Sequence, residues 1–293
     1  MSKSNTPQPS ITPLTTAQQV ASIEDQRDAQ RSDQLSQRLQ AAFTHRAPQT
    51  VHWLRLSPST NDALKALHQQ QSDLPNAMSN VMKSAVIIAD QQQAGRGQSG
   101  RHWQSPKGNL YLSMLCTLAT PLQGRLALEV ALALLQMPTL QQAQQPRGLA
   151  VKWPNDLHHQ QRKWGGILIE PLNSHQVIIG VGINVISMQH AVADQAVTDL
   201  HALLGQQVDL DQLAAESVQA IDQACQTFDA GSGDLVQRFA LADSLLGQTI
   251  AVERPAQADL IGQAEGIDAN GALILNTATG QQQVYSGHIR RMD

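Results

Sequence analysis

The chain has 293 residues and a mass of 31.7 kDa, which is too long for one small domain and predicts two folded units. A net charge of −4 and a pI near 6.2 argue against a protein that coats nucleic acid. The longest apolar run, Leu126 to Met137, contains Glu129 and is shorter than the roughly 18 residues of a membrane span. With two cysteines and no basic-then-apolar leader, we expect a soluble cytoplasmic protein without a disulfide framework.

The first 48 residues differ from the rest of the chain. Ser2 to Thr16 consists mostly of Ser, Thr, Pro and Gln, which bury too little apolar surface to offset the entropy of ordering. Ala17 to Phe43 has few large apolar residues and predicts one marginal helix. A three-helix DNA-reading unit would need more apolar residues and two sharp turns. We therefore predict a disordered or weakly helical extension over residues 1–48.

Residues 49–245 predict a mixed α/β domain. The Ser59-Thr60-Asn61-Asp62 segment can cap a helix over Leu64 to Gln71. The polar segment Asp156 to Arg162 predicts a hairpin loop. Composition predicts strands over Ala85–Ala89, Leu110–Leu115, Val151–Trp153, Gly165–Glu170 and Val177–Ile183, and helices over Leu126–Met137, Leu210–Phe228 and Leu235–Leu245. Short strands separated by helices and hairpins favour a mixed sheet over strict βαβ winding.

The pattern of the sequence changes again after Leu246, where short strand-like segments replace helical ones. The pair Asn270-Gly271 is typical of a tight hairpin turn, and Thr279-Gly280 offers a second turn. Four short strands are predicted, over Thr249–Val252, Ile261–Ile267, Ala272–Leu275 and Gln283–Tyr285. Residues 246–293 therefore predict a small β-barrel domain.

One glycine-rich segment formally satisfies the G-x-G-x-x-G pattern, namely Gly95 to Arg101. The dinucleotide-binding form of that pattern needs a helix at the third glycine and an acidic residue about 20 positions later. Here the third glycine leads into His102 to Gly108, which includes Pro106 and is not helical. Two interpretations stay open. The loop either binds an anion through its amides and arginines, or is a flexible hairpin loop with solvated arginines.

A second polar group lies at predicted strand ends. Lys152-Trp153-Pro154-Asn155-Asp156 ends one strand, and Lys163 begins the next. A hairpin would bring Asn155, Asp156 and Lys163 to one pocket, beside the strand that ends at Asn184. Each residue alone also has an ordinary interpretation, as a surface lysine, a turn aspartate or a strand-end asparagine.

Six segments in this order resemble the biotin protein ligases, which attach biotin to a lysine of the carrier protein of acetyl-CoA carboxylase. The resemblance covers residues 51 to 290. It implies a catalytic domain over 49–245, related to class II aminoacyl-tRNA synthetases, and an SH3-like barrel over 246–293. The segments are Ser59–Asn61, Gln92–Gly97, Trp103–Pro106, Lys152–Asp156, Lys163–Leu168 and Gly182–Asn184.

The resemblance also implies a reaction. The carboxylate of biotin attacks the α-phosphate of ATP to give biotinyl-5′-AMP and pyrophosphate, and the carrier lysine then displaces AMP. Biotin and ATP are the expected substrates, Mg²⁺ the expected ion, and the biotin carboxyl carrier protein the expected partner. Bringing two anions together requires fixed cations.

Residue roles follow from the same resemblance. Lys163 and Arg96 match the cations at the reacting groups, and Asp156 matches a candidate base for the lysine amine. The other implied ligand-binding residues are Ser59, Thr60 and Gln92 for the ureido ring, Trp103 as an apolar wall, Asn155, Asp156 and Asn184 near the nucleotide, and Asn61, Gly95, Gly97, Gln98 and Gly166 in the same motifs. No metal ligands are assigned.

Three departures from the family pattern stand out. Gln98 occupies a loop position that is usually arginine, and the segment Gly287 to Arg291 leaves the role of Arg290 or Arg291 open. The first fifty residues do not resemble the winged helix-turn-helix that some relatives carry. We therefore expect no specific DNA binding and no membrane association, and the sequence leaves a homodimer open.

Other functions remain as alternatives. A lipoate–protein ligase shares the adenylate chemistry, a biotin-responsive repressor would need a DNA-reading unit, and a biotin-binding module would lack catalysis. Two further motifs have ordinary interpretations. His158-His159 predicts a solvated loop pair, and Cys116 and Cys225 predict inert thiols.

Overall fold

The structure is a computed structural model that describes residues 16–43, 48–72, 84–141, 148–186, 196–254 and 258–292. Its main element is a seven-stranded sheet of order β1-β2-β3-β7-β6-β5-β4. Strands β1 and β2 are parallel, and the other neighbours are antiparallel. The predicted mixed α/β class is confirmed. The strands are β1 (Thr50–Leu54), β2 (Ala85–Ala89), β3 (Leu110–Thr117), β4 (Leu149–Lys152), β5 (Asp156–His159), β6 (Arg162–Pro171) and β7 (Gln176–Ile183).

Helices pack on both faces of this sheet. Side chains alternate between faces along a strand, so Val177 and Ile179 of β7 enter the main core while Ile178 and Gly180 face the other side. We call that other side the pocket face, and Leu64 packs α2 against it. The helices are α1 (Thr16–Ala42), α2 (Thr60–Ser72), α3 (Leu126–Leu135), α4 (Pro138–Gln141), α5 (Leu200–Leu204), α6 (Leu210–Asp229) and α7 (Leu235–Ala240).

The C-terminal segment forms a second sheet with five antiparallel strands, of order β11-β10-β9-β8-β12. Trp153 Nε1 donates a hydrogen bond of 2.9 Å to the carbonyl of Gly271, which docks the predicted Asn270-Gly271 turn on the first domain. The last strand lies beyond the four that the sequence predicts. Ile289 is its one apolar residue, so the segment has no apolar run that indicates a strand. The strands are β8 (Thr249–Glu253), β9 (Leu260–Ile267), β10 (Leu273–Thr277), β11 (Gly280–Val284) and β12 (His288–Arg291).

Two local predictions are wrong. The segment predicted as a polar loop contains strand β5, and only Gln160 and Gln161 form the turn before β6. Strand formation there depends on pairing with β4 and β6 on both sides, which local composition does not reveal. The helix predicted to reach Leu245 ends at Ala240, because the following backbone pairs with Val151 at the edge of the large sheet.

Helix α1 is packed more firmly than a marginal extension would be. Leu35 and Leu39 are 2% and 1% exposed within the main core, beside Trp53 of β1. The single helix that the sequence predicts is present, and in its second half a narrow apolar stripe packs against the sheet, which stabilises it. The predicted disorder of residues 1–15 lies outside the described residues, and the domain boundaries remain predictions.

This packing predicts that Leu39→Ala lowers the free energy of unfolding by about 2–5 kcal/mol, because it leaves a cavity in a closed core. Gln37→Ala, on an exposed position of the same helix, should change that free energy by less than about 0.5 kcal/mol. Urea denaturation measures both variants. Equal stabilities would contradict the integration of α1 into the core.

Candidate active site

A cavity of about 1420 Å³ opens on the pocket face and extends to the C-terminal sheet. Pockets for one small ligand usually enclose about 300–1,000 Å³, so this cavity has room for two substrates. Gly95 is the one predicted site residue that does not line it. The residues that do are Ser59, Thr60, Asn61, Gln92, Arg96, Gly97, Gln98, Trp103, Asn155, Asp156, Lys163, Gly166 and Asn184.

One end of the cavity is built from hydroxyl and amide side chains, and we call it the polar end. Gln92 Oε1 accepts hydrogen bonds from Thr60 N at 2.8 Å and Thr60 Oγ1 at 3.2 Å. Gln92 Nε2 donates to Ser105 Oγ at 3.0 Å, and Ser113 Oγ donates to Thr60 Oγ1 at 2.7 Å. Ser59 lies buried beside this network at the start of α2. Such a network fixes donors and acceptors for a polar ligand group.

Two side chains lie flat against the sheet because glycines leave room for them. A Cβ at Gly182 would lie 2.8 Å from the Trp103 indole, and one at Gly180 would collide with the Asn61 amide. A Cβ at Gly166 would lie 3.2 Å from the same indole. Trp103 therefore forms an apolar wall between the two ends of the cavity.

The other end carries a largely buried ion pair. Lys163 Nζ lies 2.6 Å from Asp156 Oδ1, and the two side chains are 16% and 17% exposed. Lys163 Nζ also lies 5.1 Å from the centroid of the Trp103 ring. Burial alone would raise the pKa of Asp156, but the charge and hydrogen bond of Lys163 outweigh it, so the pKa lies below its ordinary value.

A bulge in the hairpin between β5 and β6 makes this ion pair possible. Asp156 pairs with Gly166 and His158 with Lys163, and the register shifts between Leu157 and His158. In a regular strand, residues three apart such as Lys163 and Gly166 would face opposite sides. The extra residue brings both to the pocket face.

Arg96 lines the cavity while its guanidinium is held by two carboxylates. It donates to Asp62 Oδ2 at 2.7 Å and to Glu170 Oε1 at 3.0 Å. Asn61 Nδ2 donates to Glu170 Oε2 at 2.7 Å, which ties α2 to the same cluster. An anionic ligand would therefore share this cation with two existing partners.

The two predicted nucleotide-side asparagines also brace the sheet. Asn155 Nδ2 donates to the Ile167 carbonyl at 2.6 Å, and Asn184 Nδ2 donates to the Thr198 carbonyl at 3.2 Å. Gly95 lies behind the cavity, where a Cβ would come within 2.5 Å of the Trp103 carbonyl. Ligand binding by these three residues, as by the other assigned site residues, remains a prediction.

Comparisons with known proteins agree with this geometry. Residues 56–184 match the biotin/lipoate A/B protein ligase family, and residues 245–290 match the biotin protein ligase C-terminal domain. The biotin–acetyl-CoA-carboxylase ligase of Paracoccus denitrificans is 30% identical over 221 residues, which cover 70% of this chain and 90% of that protein. The chain belongs to the biotin protein ligase family.

Two further relatives define how far the likeness extends. The bifunctional ligase/repressor BirA of Escherichia coli K12 is 33% identical over 198 residues, which cover 65% of this chain and 61% of that protein. This chain thus spans less than two thirds of BirA. A biotin protein ligase from Aquifex aeolicus in complex with biotin and ATP shares the fold, with a TM-score of 0.68 and 24% identity over 82% of this chain and 98% of that one.

Several polar residues of the cavity were not assigned from the sequence, among them Lys152, Glu253 and His288. Lys152 pairs with Asp156 across β4 and β5, and burial is the main reason that its pKa lies below the ordinary value. Recognising β5 as a strand would have placed this lysine in the site. His288 Nδ1 lies 2.7 Å from Arg101 Nη1, a contact between the glycine-rich loop and the C-terminal domain that no local pattern reveals.

Arg290 and Arg291 both line the cavity, and both have partners elsewhere. Arg290 Nη2 lies 3.1 Å from Asp259 Oδ2, and Arg291 Nη2 donates to the Ser244 carbonyl at 2.8 Å. Their positions are consistent with a role at the site, which stays a prediction.

The predicted solvation of the histidine pair is wrong for His158, which is 2% exposed. Burial is the main cause that lowers the pKa of His158 to about 3; Asp156 opposes the shift and Lys152 adds to it. Cys116 and Cys225, predicted to be inert thiols, are both buried.

Within the described residues, no group of three or more His, Cys, Asp or Glu side chains is arranged to hold a metal ion. The helices of that same part of the chain include none long and apolar enough to cross a membrane.

The buried position of His158 predicts a neutral ring in the folded protein down to about pH 4, since its folded pKa is about 3. In the unfolded chain the His158 pKa is near 6.5. Below about pH 6.5 the unfolded state therefore binds a proton that the folded state does not, and the free energy of unfolding falls as the pH falls. Two-dimensional NMR of the ring nitrogens measures the protonation state. A titration midpoint near 6.5 in the folded protein would contradict this assignment.

Proposed function

We propose that this protein joins biotin to a lysine of a biotin carboxyl carrier protein through biotinyl-5′-AMP. The observation that carries the proposal is one cavity with a hydrogen-bonding end at Thr60 and Gln92, an apolar wall at Trp103 and a cationic end at Lys163. Biotin has the matching order of groups, namely a polar ureido ring, an apolar chain and a carboxylate.

At the polar end, Ser59, Thr60 and Gln92 hydrogen-bond the ureido ring. Their side chains are oriented before any ligand arrives, because Gln92 is held between Thr60 and Ser105. Little conformational entropy is then lost on binding. Trp103 covers the apolar part of biotin and keeps water from the reacting carboxylate.

At the cationic end, Lys163 neutralises the biotin carboxylate and the α-phosphate as they approach. A carboxylate oxygen forms a bond to the α-phosphorus, and the bond from that phosphorus to the pyrophosphate oxygen breaks. A fixed cation stabilises the charge that develops on the phosphoryl oxygens. Arg96 and Lys152 add positive charge along the same wall of the cavity.

In the second step, the carrier lysine amine attacks the acyl carbon of biotinyl-5′-AMP, and AMP leaves. Asp156 is a weak proton acceptor at neutral pH, because its pKa lies below the ordinary carboxylate value. We therefore assign Asp156 to holding Lys163 in position, rather than to the role of base that the family resemblance implies.

We propose that Mg²⁺ enters with ATP. Mg²⁺ in nucleotide sites is commonly bound by substrate phosphates with only one or two protein carboxylates. The cavity fits that mode, since Asp156 and Glu253 line it and no group of three metal-ligating side chains is found in the described residues. When bound, the ion would supply positive charge at the phosphates.

We place the reaction in the cytoplasm, where free buried thiols such as Cys116 and Cys225 are common. Specific DNA binding is not part of the proposal, because residues 16–42 form one helix where a DNA-reading unit would need several. A homodimer stays open.

Mass spectrometry of an intact carrier domain tests the proposal. Protein, ATP, Mg²⁺ and biotin should add one biotinyl group to the carrier, whereas a carrier whose target lysine is replaced by arginine should stay unmodified. In a parallel reaction with lipoate in place of biotin, a lipoate ligase would add lipoyl and leave the carrier without biotin, and a binding module would modify the carrier in neither reaction. Either result would overturn the proposal.

The cationic end predicts that Lys163→Ala slows pyrophosphate release by at least about 100-fold, because one preorganised charge contact contributes that much to such transition states. Biotin should still bind, since the polar end is unchanged. Lys65→Ala, an exposed lysine on α2, is the control and should keep the wild-type rate. Near-normal pyrophosphate release by Lys163→Ala would refute the role of the lysine.

The loop position Gln98 predicts weak retention of the adenylate, since it lines the cavity without the charge of the usual arginine. Gln98→Arg should slow the escape of labelled biotinyl-5′-AMP about tenfold, if one charge-assisted bond adds ~1.4 kcal/mol. The dissociation rate is measured without carrier. An equal or faster rate would place adenylate retention elsewhere.

A further inference from the structure

Strand β1 lies at the edge of the large sheet, and side chains of α1 accept hydrogen bonds from two of the outward amides at its C-terminal end. Ser32 Oγ accepts a hydrogen bond of 2.7 Å from Trp53 N, and Asp28 Oδ2 accepts one of 3.1 Å from Arg55 N. These amides lie two residues apart and therefore point to the same, unpaired side of the strand. Side chains of α1 thus cover part of a sheet edge. In other proteins such an edge is often exposed, or charged side chains prevent it from pairing with another strand.

The same helix ties β1 to β2 through Arg31. Its guanidinium lies 3.5 Å from the centroid of the Trp53 ring and donates to Asp90 Oδ1 at 2.9 Å. Trp53 Nε1 donates to that same Asp90 oxygen at 2.8 Å. Arg31 also donates to Asp211 Oδ1 of the neighbouring helix α6 at 2.6 Å. A stacked arginine with two charge-assisted bonds is a specific, rigid contact.

Asp90 lies at the start of the segment that carries Gln92. Beyond the strands, the segments after β1 and β2 continue side by side. Ser57 N donates to the Gln91 carbonyl at 3.1 Å, Gln93 N donates to the Ser57 carbonyl at 3.0 Å, and Ala94 N donates to the Pro58 carbonyl at 2.8 Å. These bonds set the separation between Thr60 and Gln92, which is the geometry of the polar end.

We propose that Arg31 is a positioning residue for the polar end of the cavity and acts through Asp90. The N-terminal helix then sets the affinity for the ligand group bound at Thr60 and Gln92. Helix α1 lies outside both matched family segments, 56–184 and 245–290. The identification of that ligand group as the ureido ring of biotin rests on the proposed function.

Steady-state pyrophosphate release tests the proposal with Arg31→Ala and Asp90→Asn in the full chain. Both variants should raise the KM for biotin about tenfold, a change of ~1.4 kcal/mol, while kcat and the KM for ATP stay within about twofold. Asp90→Asn keeps an oxygen that can accept from Trp53, so it removes mainly the charge that holds Arg31. Arg31→Lys should fall between wild type and Arg31→Ala, because it keeps the charge and loses the planar stack.

Two variants serve as matched controls. Asp211→Asn removes the other ion pair of Arg31, the one to α6, and Arg38→Ala removes an exposed arginine of the same helix. Both should leave the KM for biotin within about twofold of wild type. An equal rise in Asp211→Asn would mean that Arg31 contributes only to general stability, and would overturn the proposal.

Amide hydrogen exchange provides a readout that does not depend on biotin. In Arg31→Ala and Asp90→Asn, exchange at Gln93 and Ala94 should accelerate about tenfold, while amides in β7 keep their wild-type protection. Unchanged exchange at both amides would refute the positioning role even if the protein binds another ligand. Faster exchange in a protein that does not use biotin would refute the proposed function and leave the positioning role supported.

Discussion

Two opposite charges held 2.6 Å apart and mostly out of water need a surrounding that compensates for their desolvation. Lys163 and Asp156 find it in the bulged hairpin of β5 and β6, which places both on the pocket face beside the Trp103 ring. The position of the Lys163 ammonium group therefore depends on the backbone register.

The rest of the cavity follows from the alternation of side chains along β7. Val181 enters the main core, while Gly180 and Gly182 leave the opposite face flat enough for the Asn61 amide and the Trp103 indole. A long ligand can lie on such a floor with one end at Gln92 and the other at Lys163. The sheet thus sets the distance between the polar end and the cationic end of the cavity, and the glycines set how deep the cavity is.

Much of this arrangement was predictable from the sequence. The buried strands β2, β3 and β7 have runs of apolar residues that local composition identifies. The ordered motifs identified the family, and all of the residues assigned from them except Gly95 line the cavity. The failures have a common cause. Strand β5, buried His158 and the Arg101–His288 contact depend on partners distant in sequence, and Leu35 of α1 is buried only because β1 offers it a surface. The local secondary-structure propensity of a segment does not depend on such distant partners and therefore cannot predict them.

Biotin-dependent exchange of labelled pyrophosphate into ATP, measured with wild type and Asp156→Asn, tests the central claim most directly. If the Lys163–Asp156 pair forms the adenylation centre, wild type exchanges only when biotin is present, lipoate does not replace biotin, and the variant exchanges at least about tenfold more slowly. Exchange without biotin, equal exchange with lipoate, or an unchanged rate in Asp156→Asn would contradict this account.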